Sequence, residues 1–172
     1  MALTWRLALT LLLGAQPGCG APLHASPPSV AARARADTEV AGVLDDWHAA
    51  AARADEAAYF AHFDPDGVFL GTDATERWSV EAFRAYAHPH FARGRAWAFH
   101  AVRRHVTLGG DGRTAWFDET LETGSLGPAR GSGVLRRGDD GVWRIAQYNL
   151  SITIPNERFD AVRRALAQPA VP

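Results

Sequence analysis

The sequence contains no lysine and a single cysteine, Cys19. All 18 basic residues are therefore arginine, and together with 19 acidic residues they give a formal net charge of −1. A chain this close to neutral lacks the positive surface that attracts nucleic acid or an anionic membrane, so neither is expected as the main partner. One cysteine excludes an internal disulfide and a zinc site built from cysteines.

Several motifs of well-known enzyme sites are also missing. No HExxH, GxSxG, P-loop or GxGxxG pattern occurs in the chain. His88 and His90 flank Pro89, but they lack the further carboxylate and the helical spacing of a metal site. We therefore predict neither a metal nor an organic cofactor.

The first residues have the layout of an export signal. A short segment with one positive charge, Met1–Arg6, precedes a nine-residue apolar stretch, Leu7–Ala15. That stretch is too short to span a bilayer as a mature helix, but it suits the core of a signal peptide. The sequence thus predicts export to the periplasm or another extracytoplasmic space.

Two interpretations of the cleavage site remain open. Gly18-Cys19 resembles the bacterial lipobox, in which the cysteine is acylated and becomes the new N-terminus, although Gln16 stands where that pattern has leucine. The resemblance implies a bacterial lipoprotein tethered to a membrane through Cys19. Ordinary signal-peptidase cleavage near Ala21 or Ala25 is the alternative.

Composition divides the chain into four segments. Residues 1–21 form the predicted signal peptide, and residues 22–36, rich in proline and alanine, form a predicted flexible linker. Residues 37–167 are enough for one domain with its own core. Residues 168–172 form a predicted tail.

Apolar spacing predicts helices in the first part of the domain. A helix capped by Asp37 or Thr38 is expected to run to about Ala54, and Asp55 is expected to open a second, short helix. The residues Asp64-Pro65-Asp66-Gly67 indicate a turn, which a strand over residues 68–70 should follow. Ser79 is predicted to cap the next helix, and Pro89 should kink or end that helix. The buried stripe of the first helix is predicted at spacings of three and four: Val40, Val43, Leu44, Trp47 and Ala51.

The second part alternates between strands and glycine-rich turns. Strands are predicted over residues 96–108, 113–123, 130–137 and 142–154, and Asn156 is predicted to cap a final helix. Helices, one strand, a helix and four antiparallel strands make an α+β fold. In such a layout a curved sheet is covered on one face by helices.

The stretch from Phe63 to Trp78, FDPDGVFLGTDATERW, joins the first strand to the next helix. Polar residues over 72–77 separate an apolar strand from an aromatic residue. A buried connection of that kind would leave polar groups unpaired, so this segment is predicted to form the lip of a pocket.

The order of elements, together with GTDATERW, AWFDE on a middle strand and GVWRIAQYNLSITIPN on the last, resembles the SnoaL-like branch of the nuclear transport factor 2-like superfamily. The resemblance implies a cone in which a strongly bent antiparallel sheet wraps around N-terminal helices and encloses a mostly apolar cavity. It also implies a homodimer formed through the outer face of the sheet. Members include isomerases, dehydratases, cyclases and hydrolases, but also binding and assembly domains without catalysis, so the fold does not settle the function.

An enzyme of this shape would need a general acid or base in the cavity. The candidates for catalysis are His48, Asp118 and Glu119. Asp118 and Glu119 are neighbours in a strand and point to opposite faces, and the sequence does not decide which one points inward. Other ionisable candidates are Asp73, Glu76 and His100. The alternative for each is a structural hydrogen bond or ion pair.

Aromatic and polar residues near the lip and on the last strand are the predicted pocket residues. Gln147, Asn149 and Tyr148 could orient a ligand through hydrogen bonds, although the two amides could equally pair across the sheet. Asp73 could instead cap its own turn, and Arg77 could pair with Glu76. The full predicted set is Trp47, Tyr59, Asp73, Arg77, Trp78, Gln147, Tyr148 and Asn149.

Two functions follow as hypotheses. The first is binding of a small, largely apolar molecule without chemistry. The second is a cofactor-independent isomerase, dehydratase or hydrolase with His48 or a cavity carboxylate as base and Tyr148 or Gln147 stabilising developing charge.

Overall fold

The computed structural model describes residues 27–168. Helices come first, one hairpin and a helix follow, and four long strands complete the sheet, which is the predicted α+β layout. The elements are α1 (Val30–Ala52), α2 (Glu56–Ala61), β1 (Phe63–Leu70), β2 (Arg77–Ser79), α3 (Val80–Ala92), β3 (Phe99–Leu108), β4 (Thr114–Thr123), β5 (Ala129–Arg137), β6 (Trp143–Ile152), a 3-10 turn (Asn156–Arg158) and α4 (Phe159–Leu166).

The strands form one curled sheet that does not close on itself. Its order is β2-β1-β6-β5-β4-β3. The predicted antiparallel meander of the last four strands is confirmed. β1 pairs with β6 in parallel, however, so the sheet is mixed rather than wholly antiparallel. A parallel neighbour requires a long crossover, and the segment from β2 through β5 supplies it.

α1 crosses the concave face of the sheet and supplies much of the core. Its stripe of Val40, Leu44, Trp47 and Ala51 is buried as predicted, whereas Val43 is half-buried. The helix begins at Val30, well before the predicted start at Asp37 or Thr38. Ser29 provides the cap, because its hydroxyl accepts a hydrogen bond from the backbone N–H of Ala32. Residues 30–36 of the predicted linker are therefore helical.

The alternation in β4 decides the question that the sequence left open. Ala115, Phe117, Glu119 and Leu121 are buried, and the residues between them are exposed. Glu119 therefore points into the core and Asp118 points outward. The inward face of β4 is a regular apolar face interrupted by one carboxylate.

Extra residues in β3 and β6 shift the alternation of these strands. The register of β3 shifts between Ala101 and Arg103, so that Arg104 lies opposite Glu119. In β6, Ala146 is the extra residue, because Ile145 pairs with Leu135 and Gln147 with Val134. One extra residue in a strand moves every later side chain to the other face.

The segment around the predicted lip also differs from expectation. Residues 64–67 were expected to form a turn, yet they belong to β1, where the register against β6 is irregular. Gly67 fits because a Cβ there would lie 2.8 Å from the Asp64 carbonyl oxygen. Ser79 caps α3 as predicted, with its hydroxyl accepting from the N–H of Ala82 at 3.2 Å. Pro89 does not end α3, which continues to Ala92.

The predicted signal peptide and the acylation of Cys19 lie outside the described residues and stay predictions. Within residues 27–168, no helix is long and apolar enough to cross a membrane. The same part of the chain holds no cluster of three or more histidine, cysteine, aspartate or glutamate side chains suited to a metal ion.

Candidate ligand-binding site

A cavity of about 230 Å³ lies between the helices and the concave face of the sheet. Helices and strands both contribute to its wall: Trp47 comes from α1, Tyr59 from α2, Phe83 from α3 and Tyr148 from β6. The lining consists of Trp47, Tyr59, Phe69, Gly71, Thr72, Glu76, Trp78, Phe83, Tyr86, His90, Trp97, Phe99, Ser125, Leu126, Tyr148 and Leu150. Most of these side chains are aromatic.

The aromatic rings stack on one another and form fixed walls. Phe69 and Phe83 stack with ring centroids 3.9 Å apart, and Trp78 stacks on Phe83 at 5.6 Å. On another part of the wall, Trp47 lies 4.9 Å from Tyr59 and 4.5 Å from Tyr148. Rings held by several neighbours lose little entropy when a ligand binds. The cavity is therefore suited to a flat apolar molecule.

The predicted lip, residues 72–77, is stabilised by its own polar groups. The Asp73 carboxylate accepts hydrogen bonds from the hydroxyl and the backbone N–H of Thr75, and these bonds lower its pKa. The Glu76 carboxylate accepts a bond from the Asp73 backbone N–H at 3.1 Å. Asp73 and Arg77 are exposed and do not belong to the lining. Asp73 thus shapes the turn rather than the cavity wall.

Behind the cavity wall, a polar network surrounds Glu119. This carboxylate is fully buried, and its Oε1 accepts a hydrogen bond from the Tyr148 hydroxyl at 2.9 Å and lies 2.8 Å from His48 Nε2. Its Oε2 accepts from Arg104 Nε at 2.8 Å. Arg104 also donates to Asp45 at 2.9 Å and to the carbonyl oxygen of Ala41 at 3.0 Å, so the network reaches from the core to the surface.

The charges in this network compensate one another. Burial by itself would raise the pKa of Glu119, but His48 and Arg104 outweigh it and lower the pKa of Glu119 below the ordinary value. An ionised carboxylate only accepts, so His48 Nε2 must carry the hydrogen of their shared bond. Glu119 is therefore a paired anion. Its lone pairs are occupied by donors of the protein.

Tyr148 stands between this network and the cavity. It lines the cavity and donates its single hydroxyl proton to Glu119. Burial, and then the negative charge of Glu119, raise the pKa of Tyr148 well above its ordinary value. Toward a ligand it has only an acceptor lone pair left. His48 and Glu119 do not belong to the lining.

Gly131 lets the network come close to the backbone of β5. It pairs with Glu119 on one side and with Leu150 on the other. A Cβ at this position would lie 2.7 Å from Glu119 Oε1 and would also clash with the Tyr148 hydroxyl. Any side chain larger than hydrogen would therefore displace the carboxylate or the tyrosine.

The structure brings together some of the predicted pocket residues and separates others. Trp47, Tyr59, Trp78 and Tyr148 all line the cavity. Gln147 and Asn149, by contrast, lie on the outer face of the sheet, where Gln147 is exposed and the Asn149 amide donates to the Ser151 hydroxyl at 3.1 Å. The extra residue Ala146 causes this difference. Of the other ionisable candidates, Asp118 and His100 are exposed and Glu76 lies in the lip.

Sequence reasoning missed part of the site. Arg104 was not proposed as a partner of Glu119, because only the shifted register of β3 makes the two residues neighbours. The apolar cavity residues missed are Phe69, Phe83, Trp97, Phe99, Leu126 and Leu150. Their apolar side chains indicate that these residues are buried. The sequence does not show whether an apolar residue is buried in the core or in the wall of a cavity.

Comparison with known proteins agrees with this architecture. The family model of the SnoaL-like domain matches residues 40–155, so the chain belongs to the SnoaL-like domain family. Its fold is that of the nuclear transport factor 2-like proteins. No curated protein matches the chain significantly.

Solved structures with the same fold have diverse descriptions. An NTF2-like protein of unknown function from Pseudomonas putida is 17% identical, with a TM-score of 0.60 over 72% of this chain and 91% of that one. A proposed calcium/calmodulin-dependent protein kinase II association domain from Xanthomonas campestris is 26% identical, with a TM-score of 0.54 over 77% and 97%. A proposed scytalone dehydratase from Novosphingobium aromaticivorans is 10% identical, with a TM-score of 0.57 over 68% and 83%.

Proposed function

We propose that this SnoaL-like domain binds a small, largely apolar and flat molecule in its cavity. The observation that carries the proposal is the aromatic lining of a 230 Å³ space that reaches the buried faces of α1, α2 and β6. Concave apolar sites with a few polar groups are typical of ligand sites. The stacked rings give the walls a fixed shape before the ligand arrives.

The geometry favours binding over chemistry by His48 or Glu119. A general base needs a free lone pair within reach of its substrate. Glu119 is paired with Arg104 and His48, and neither His48 nor Glu119 lines the cavity. Gln147 lies on the outer face of the sheet, so it is not available to stabilise charge in the cavity. Some proteins of this fold are described as dehydratases, and catalysis by other residues stays the alternative hypothesis.

Titration of the protein with naphthalene tests the proposal. The indole N–H signals of Trp47, Trp78 and Trp97, which line the cavity, should shift in NMR spectra. The signal of Trp116, half-exposed on the outer face of the sheet, should stay in place. Shifts spread equally over all these tryptophans, or no shift at all, would contradict a cavity site.

A blocked cavity provides the matched control. Leu126 is a half-buried residue of the lining, and Leu126→Trp should fill the space and abolish naphthalene binding. Val142 is exposed and lies outside the lining, so the Val142→Trp variant should bind naphthalene with the affinity of the natural protein. Equal affinity of both variants, each with an unchanged circular dichroism spectrum, would show that the ligand binds elsewhere.

A further inference from the structure

The aromatic cavity has a carboxylate in its lining, that of Glu76, which is half-buried. Among the described residues 27–168, no ion pair includes this carboxylate. The sequence suggested Arg77 as a partner, but Arg77 is exposed and lies outside the lining. The negative charge of Glu76 is therefore available to a molecule in the cavity.

The local backbone holds the Glu76 side chain in place. Its Oε2 accepts a hydrogen bond from the backbone N–H of Asp73 at 3.1 Å, and its carbonyl oxygen accepts one from the N–H of Gly71 at 2.9 Å. A Cβ at Gly71, which also belongs to the lining, would clash with the Glu76 carboxylate and lie 2.9 Å from its Cβ. Glycine at this position thus lets the carboxylate lie directly against the chain at the edge of the cavity.

The described lining supplies no positive charge to balance Glu76. It contains no arginine, and His90 is its one side chain that could become a cation. The guanidinium of Arg93 donates a hydrogen bond to Nδ1 of His90 at 3.1 Å. Because a guanidinium can only donate, Nδ1 must act as the acceptor, and His90 is neutral in this arrangement. The charge of the lining is therefore negative.

The aromatic rings favour a ligand of the opposite sign. The face of an aromatic ring carries partial negative charge and attracts a cation within about 6 Å of the ring centroid. A space of about 230 Å³ is so narrow that a bound molecule contacts several rings at once. Trp78, two residues from Glu76, stacks on Tyr86 with centroids 4.6 Å apart, and both rings line the cavity. An anion would meet these rings and Glu76 without a counter-charge, which is costly.

We propose that the cavity binds an aromatic cation, such as a planar heteroaromatic ring with a quaternary nitrogen. This inference rests on the proposed function of the same cavity and adds the charge of its ligand. The aromatic walls bind the ring system, and Glu76 supplies the counter-charge. A delocalised cation suits a largely apolar site, because it is more weakly hydrated than a compact ammonium group.

Three compounds of similar size test the charge of the ligand. 1-Methylquinolinium and 1-methylnaphthalene have the same shape and differ by a charged nitrogen in place of a carbon, whereas 1-naphthoate is an anion. In calorimetric titrations at about 0.01 M salt, we expect 1-methylquinolinium to bind roughly tenfold more tightly than 1-naphthoate. Tighter binding of the anion would overturn the proposal.

The salt dependence separates charge from apolar contact. Raising the salt to about 1 M shortens the screening length from about 30 Å to about 3 Å. The affinity for 1-methylquinolinium should then fall several-fold relative to the affinity for 1-methylnaphthalene. An unchanged ratio of the two affinities would contradict a role for the charge of Glu76.

Conservative variants assign the effect to Glu76. Glu76→Gln removes the charge but keeps an oxygen that can accept from the Asp73 backbone. It should lower the affinity for 1-methylquinolinium roughly fivefold and leave the affinity for 1-methylnaphthalene within about twofold. Glu81→Gln is the matched control, because Glu81 is exposed and lies outside the lining, and both affinities should stay unchanged. Thermal unfolding shows whether each variant is folded, and the salt dependence carries the test if Glu76→Gln does not fold.

The possible failures are distinguishable. If 1-methylnaphthalene binds and 1-methylquinolinium does not, or if Glu76→Gln changes both affinities equally, the cation site is wrong while the binding cavity stands. If neither compound binds at millimolar concentration, the proposed function itself is wrong.

Discussion

Glu119 is a buried charge that the protein surrounds with donors. Its two oxygens interact with His48, Tyr148 and Arg104, and Gly131 leaves room for the carboxylate beside the strand. Removing one partner of such a group is more costly than removing an exposed ion pair, since the charge left behind is out of water. The network therefore serves the structure of the wall behind the cavity.

Glu119→Gln tests this structural role. The variant removes the buried anion of Arg104 and leaves its nearly buried guanidinium with only the exposed carboxylate of Asp45. The free energy of unfolding at pH 7 should therefore fall by about 3 kcal/mol or more. Urea denaturation measures this change. Asp118→Asn is the matched control, because Asp118 is the neighbouring exposed residue and its replacement should change stability by no more than about 0.5 kcal/mol. Similar losses in both variants would contradict the role of Glu119.

The lowered pKa of Glu119 also predicts a pH dependence. The folded state holds this carboxylate ionised at a pH where the unfolded chain, with an ordinary value of 4.5, already takes up a proton. The stabilisation by Glu119 is therefore complete above about pH 5 and is lost as the pH falls through 4.5 toward the folded-state pKa. Urea denaturation between pH 3 and pH 7 should show a smaller decline for Glu119→Gln than for the natural protein. Parallel declines would contradict the assignment.

At the scale of elements, α4 contrasts with the rest of the domain. It contains no buried residue, and its terminal apolar residues Phe159 and Leu166 are 61% and 81% exposed. Arginines occupy other positions of the helix. An element that buries so little contributes little to the free energy of folding.

Truncation after Ile154 removes α4 and should change the free energy of unfolding by less than about 1 kcal/mol, since no buried contact is lost. Urea denaturation of a monomeric sample measures the change. Leu150→Ala, at a buried position of β6, provides the contrast and should cost about 2–5 kcal/mol. A loss of that size on truncation would show that the apolar side of α4 is covered in solution.

At the scale of the whole molecule, the outer face of the sheet is open. Trp116 on β4 and Val102 on β3 are each 50% exposed, and Trp116 lies beside Val134 of β5 on that face. Exposed apolar groups on a broad sheet are typical of an interaction surface. We propose that two copies of the chain pair through this face, as the resemblance to the superfamily implies.

Light scattering coupled to size-exclusion chromatography tests the homodimer. The natural protein should elute with twice the mass of the chain, and Trp116→Arg should shift it to the monomer because a charge would be buried in the interface. Val142→Arg, at an exposed position near the β5–β6 turn, should leave the dimer intact. A natural protein that stays monomeric at high concentration would contradict the proposal.

The local pattern of the sequence determined most of the fold. Apolar residues at spacings of three and four predicted the buried stripe of α1, and glycine-rich turns separated the four strands of the meander. Ser79 signalled the start of α3 because its hydroxyl caps the helix locally. These features depend on residues a few positions apart, which is why the chain shows them without its partners.

Only the tertiary structure decided which residues meet at the site. Sequence placed Asp118 and Glu119 on opposite faces but could not choose between them, because both faces of β4 carry large apolar groups. The choice depends on where the sheet packs against α1. Arg104 opposes Glu119, and Gln147 turns outward, because one extra residue in β3 and one in β6 shift the register. Such a shift results from pairing between distant strands, so no local pattern of residues reveals it.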